Sequence, residues 1–181
     1  MSEKFIDYKK LFEETVGVEL PEIIDEAADP NDVIAGYAKN VIEHLVKYEN
    51  AKRQNSDWID SITDGVIDIK KKAEKIKHKK DAIDVDFVNS ELHKDYTNIR
   101  NRIKNRYSDV VNVNNIPKEL PDEYNINNIL DTDFILRKIG SNYIPNVYSS
   151  EEIKNYINTP KFKRAFGVDF YDMKEKGYIN E

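Results

Sequence analysis

Along most of this chain apolar residues recur at intervals of three and four, the spacing that lines one face of an α-helix. Phe5, Tyr8, Leu11, Phe12 and Thr15 mark a first helix, which Ser2 can cap and Gly17 can end. Leu20-Pro21 opens a short acidic helix, and Asp29-Pro30 repeats the device, because proline at the first helical position loses no needed hydrogen bond and aspartate caps free N–H groups. The helix after Pro30 carries Val33, Ile34, Tyr37, Ala38, Val41, Ile42, Leu45 and Val46. That stripe is two residues wide at every turn and predicts a core helix buried on about half its surface. Residues 49–55 interrupt the pattern, and Asn55 or Ser56 offers a cap for a new helix near Asp57. The pattern alone leaves open whether the chain breaks there or continues.

Two long seams follow. One runs through positions 58, 62, 66, 69, 73 and 76, the other through 88, 92, 96, 99, 103, 107 and 110. A link as short as Lys80 to Asp86 predicts an antiparallel helical hairpin with arms over 56–80 and 86–111. Folding the chain about residue 82 or 83 matches 58 with 107, 62 with 103, 66 with 99, 69 with 96 and 73 with 92. It also sets opposite charges side by side: Asp60 with Arg106, Asp64 with Arg102, Lys71 with Asp95, Lys75 with Glu91, and Lys80 with Asp86.

After Val111 the pattern changes. Residues 112–128, rich in Asn and with Pro117 and Pro121, read as a loop or extended arm that tethers a segment of short helices over 129–181. These helices are Thr132 to Ile139 stopped by Gly140, Ser150 to Asn158 with a Ser149/Glu152 capping box, Pro160 to Phe166 stopped by Gly167, and Asp169 to Lys176 stopped by Gly177. The expected fold is therefore all-α: a helical bundle over residues 1–111 around the hairpin, followed by the tethered segment.

Composition narrows the function. The 181 residues suit one domain or a domain with a small appendage, and 34% are charged, above the usual quarter, which fits exposed helices. No apolar run approaches the roughly 18 residues of a membrane helix, and the opening MSEKFIDYKK lacks the apolar core of a signal peptide. The expected setting is the cytoplasm, or a particle assembled there, with no membrane partner. Zero cysteines exclude disulfides, thiolate metal sites and thiol nucleophiles. Isolated glycines give neither a phosphate-cradling loop nor a dinucleotide fingerprint, and His44, His78 and His93 lack the spacing of a helical zinc site. No catalytic residue, metal, cofactor or small-molecule substrate is therefore expected.

The net charge of −6 is uneven: −9 over residues 1–69, +6 over 70–107 and −3 over 108–181. Much of the basic centre, Lys70, Lys71, Lys72, Lys75, Lys77, His78, Lys79 and Lys80, surrounds a helix end and complements its dipole, as Asp81, Asp84 and Asp86 complement the next helix start. Arg100, Arg102, Lys104 and Arg106, interleaved with Asn98, Asn101 and Asn105, form the better nucleic-acid candidate. The acidic residues Glu22, Asp25 and Glu26 are the feature an inhibitor of a basic host protein would present.

Aromatic residues crowd the last third, where Tyr143, Tyr148, Tyr156, Phe162, Phe166, Phe170 and Tyr178 are candidates for a protein interface. The leading expectation is thus a non-enzymatic assembly or adaptor subunit, contacting protein subunits in a homo-oligomer or larger assembly. Lysine outnumbers arginine 22 to 6, a bias of AT-rich genomes typical of a bacterium or its phage, so the assembly expected is that of a structural or connector protein of a bacteriophage particle. A nucleic-acid-binding or regulatory helical protein is the alternative.

Overall fold

The computed structural model describes residues 29–52, 56–157 and 159–167. The helices expected over 2–17, after Pro21 and over 169–176 lie outside the described residues, as do Phe170 and Tyr178. Within them the protein is all-α, and its only strand-like feature is an isolated antiparallel bridge between Ala51 and Val111.

Helix α1 spans Pro30–Glu49 and opens as its sequence dictates, with the Asp29 carboxylate accepting from the Asn31 N–H at 2.9 Å and Pro30 in the first turn. Ten of its twenty residues are buried, so the two-residue stripe does place half of the helix in the core. The chain then breaks: Asn50 caps α1, and Lys52 and Asn50 bond the backbone of Val110 and Asn112. Helix α2 spans Ser56–Ile76 and passes through a 3₁₀ turn, Lys77–Ala82, into helix α3, Val85–Arg106, whose first turn is capped by Asp84.

The seams of α2 and α3 are buried as their spacing requires, but they do not meet each other. Helix α1 packs along α3 and also covers α2, while α2 and α3 share little direct contact. The broad stripe of α1 supplies more apolar surface than either narrow seam could offer the other, so both seams turn to it. The cross-arm register is corrected accordingly. Arg102 meets Glu43 of α1 at 3.4 Å instead of Asp64, and Asp60 and Asp64 meet Lys161 at 3.8 and 2.9 Å.

Residues 112–128 are also not a free arm. Ile116, Leu120, Tyr124 and Ile126 are buried, Tyr96 donates its hydroxyl to the Pro117 carbonyl at 2.8 Å, and the Ile126 N–H donates to Asn89 Oδ1 at 2.8 Å. The segment is thus a strap running antiparallel along α3. It ends in the short helix α4, Ile126–Ile129, followed by α5, Thr132–Arg137. Gly140 does not stop this helix. A π-helical stretch, Lys138–Tyr143, carries it into α6, Ile144–Val147. The wider turn suits Pro145, which has no N–H to donate and whose ring crowds the preceding turn of a regular helix.

Helix α7, Ser150–Ile157, begins with the predicted capping box: the Ser149 N–H donates to Glu152 Oε1 at 2.9 Å and the Glu152 N–H to Ser149 Oγ at 3.2 Å. Helix α8, Pro160–Phe166, ends where Gly167 turns left-handed, φ 74°. It packs on α2, so the carboxyl-terminal segment joins the same hydrophobic core as α1–α3.

Candidate functional site

The four cations of the basic helix lie on α3 but not on one face. An α-helix turns about 100° per residue, which puts Arg100 and Lys104 on one flank and Arg102 and Arg106 on the other, with Asn98, Asn101 and Asn105 on the outward face between. Those three asparagines are exposed, as is Arg106, whereas Arg100 and Lys104 are half-buried and Arg102 is held by Glu43. Several lysines of the α2 end are engaged within the chain. Lys72 pairs with Asp68 at 3.0 Å, Lys80 donates to the Leu130 carbonyl, and Lys70 donates to the Arg164 and Ala165 carbonyls at the end of α8.

The aromatic candidates among the described residues pack into this chain's own core. Tyr143, Tyr148, Phe162 and Phe166 are buried, and Tyr156 is half-buried with its ring edge-on to Tyr148 at 6.2 Å. Phe162 and Phe166 stack at 4.6 Å on the inner face of α8. Tyr143 and Tyr124 join hydroxyls, and Tyr124 donates to Glu49 Oε2 at 2.8 Å, tying the strap and the π turn to the end of α1. Burial, with the carboxylate of Glu49 beside the pair, pushes both phenols up out of the ordinary tyrosine range.

The densest polar chemistry lies where the sequence reading placed nothing. On the last turns of α1, His44 Nδ1 stands 3.1 Å from Tyr48 Oη and 3.3 Å from Lys47 Nζ. Lys47 is buried, with Nζ 4.4 Å from the centre of the Tyr107 ring and 5.1 Å from that of Tyr48, a cation held between two aromatic faces. Tyr48 is buried against Gly65 of α2 and meets the edge of Trp58 at 6.2 Å. Burial lowers Lys47 to about 8, against the opposing pull of Glu43. Burial first, and then the charge of Lys47, lowers His44 to about 4. His78 and His93, by contrast, are exposed. The one sequence signal for this cluster was the 44, 47, 48 spacing, which puts three side chains on adjoining turns of one face.

Among the described residues no group of histidines and carboxylates converges to hold a metal, and no helix is long and apolar enough to cross a membrane. The class defined here is an all-α protein with one continuous core and a buried polar joint. Comparison with protein families, curated proteins and solved structures gives no match for this chain.

Proposed function

We propose that this protein is a non-enzymatic helical assembly or adaptor subunit that contacts other protein subunits through the tip where α2 passes into α3. The observation that carries this reading is Phe87, a large hydrophobic side chain left 46% exposed on the first turns of α3. Exposed Ala82 and half-buried Ile83 and Val85 extend it, and exposed Lys77, His78, Asp81, Asp84 and Asp86 surround it. An aromatic anchor inside a charged rim is the anatomy of a protein contact. Burial of Tyr143, Tyr148, Phe162 and Phe166 in the core leaves the tip as the better anchor. The setting we propose is a multi-subunit particle of the bacteriophage kind, in line with the lysine-rich, arginine-poor composition.

Light scattering across a wide concentration range tests this. Association that weakens in Phe87→Ser, with unchanged helicity, is the expected result. A strictly monomeric protein at high concentration, with residues 125–181 still protected from protease, would sink the reading.

A further inference from the structure

The joint between the end of α1 and the first turns of α2 is not used by the proposed tip contact, yet it brings together half-buried His44 and buried Lys47 and Tyr48. His44 Nδ1 lies within reach of two donors, Tyr48 Oη and Lys47 Nζ. A ring nitrogen that accepts carries no hydrogen, so His44 is neutral with its proton on Nε2. The groups facing it are Glu43 and Lys47 on α1, Asp64, Asp68 and Lys72 on α2, Arg102 of α3 behind Glu43, and Tyr107 beyond α3. Asp68 favours a charged ring but is itself paired with Lys72, and Asp64 is paired with Lys161 of α8. The charge the ring meets most closely is therefore the Lys47 ammonium. The joint also holds the buried Trp58 indole N–H, which has no acceptor among the described residues.

We infer that this joint is an acid-operated latch: one proton taken up at Nδ1 turns His44 from acceptor to donor, reverses its hydrogen bond with the Tyr48 hydroxyl, breaks the one from Lys47, and frees the first half of α2 from α1. Two cations would then stand side by side in a buried site, and the cheapest relief is to let water in. Opening restores His44 to water and to its ordinary affinity for protons. Between the closed and open values the open form holds one more proton, so its share grows about tenfold for each pH unit of acidification.

Trp58 is the chain's one tryptophan and reports the latch directly. Its emission would be followed from pH 7.5 to 4.5 on the full chain, alongside hydrogen-exchange protection factors. The expected result is a red shift below about pH 6, the model-peptide range of histidine, with protection lost over residues 58–66 and kept over 85–96. His44→Gln, which can accept from Tyr48 but cannot be protonated, should abolish the shift. The double variant His78→Gln/His93→Gln should keep it. If His44→Gln does not fold, the double variant leaves His44 as the only histidine, and its ring-proton titration must coincide with the Trp58 transition. The latch is overturned by an unchanged transition in His44→Gln, by non-coincident titrations, by the absence of any transition, or by protection that collapses everywhere at one pH.

Discussion

Gly36 and Gly65 sit inside α-helices of this fold, and alanine at each should act with opposite sign. Gly36 on α1 has open space where a β-carbon would stand, so Gly36→Ala should gain most of the helix-propensity difference, about 0.5–1 kcal/mol. A β-carbon on Gly65 would overlap the Tyr48 hydroxyl and stand 3.2 Å from Tyr48 Cζ and 3.5 Å from His44 Nδ1. Tyr48 is 2% exposed and braced by Trp58 and Lys47, so it can retreat only by giving up its bond to His44. Overpacking costs about 1–3 kcal/mol and the lost hydrogen bond about 1 kcal/mol. Set against the propensity gain, the net loss is about 1–3 kcal/mol, a fall of roughly 2–10 °C in Tm at this chain length. Thermal and urea denaturation of the two variants would measure it. Tyr48→Phe removes the overlapped oxygen, so Tyr48→Phe/Gly65→Ala should be more stable than the two single losses predict, by more than about 0.5 kcal/mol. The reasoning fails if Gly65→Ala stabilises as Gly36→Ala does, or if the two changes simply add.

Lys47 gives a pH signature. Its folded value of about 8 lies below the ordinary 10.5, so between those values the unfolded chain binds a proton the folded one lacks, and stability rises with pH. Up to pH 9.5, before the tyrosines of the unfolded chain ionise, the gain is about 2 kcal/mol by urea titration, and Lys47→Met should flatten it. Breaking the capping box with Ser149→Ala should cost about 1 kcal/mol, with exchange accelerated first at the start of α7; an unchanged exchange pattern there would count against the box. Tyr143→Phe should cost about 1–2 kcal/mol because the buried Tyr124 hydroxyl loses a partner, and Tyr124→Phe/Tyr143→Phe should cost less than the two single losses combined. Additive losses would mean that the two hydroxyls act independently.

The helices were legible because each carries a local reason to form. Pro30 and Asp29, the Ser149/Glu152 box and Gly167 are signals read within four residues, and the seams at 58–76 and 88–103 declare which side faces inward. Which helix each seam faces was not legible. Spacing says that Ile62 and Ile99 are buried, but both seams are compatible with each other and with α1, and only the total area on offer decides. The strap was misjudged for a related reason. Its apolar residues Ile116, Leu120 and Tyr124 are four apart, but Pro117 and Pro121 between them argue against a helix, and their anchors, Tyr96 and Asn89, are far away in sequence. The polar joint went unread because a lysine and a histidine on an apolar helix look like solvent contacts until the neighbouring helix closes over them. The aromatic residues of the last third announced a need for partners without saying that α2 would be one.

The packing of α8 on α2 closes over a long stretch of chain: Lys70 reaches carbonyls 94 and 95 residues further on. At ribosomal rates of about 5–20 residues per second, α2 is synthesised roughly 5–20 s before its cover exists. Helices α1, α2 and α3 can gather early, since their mutual contacts need nothing beyond the end of α3, but the outer side of α2 must wait. During that interval a newborn chain shows a greasy strip that the finished molecule hides. A stalled or truncated product lacking the last helices would carry this strip permanently, making it the form of this protein most prone to clump or to be captured by a chaperone.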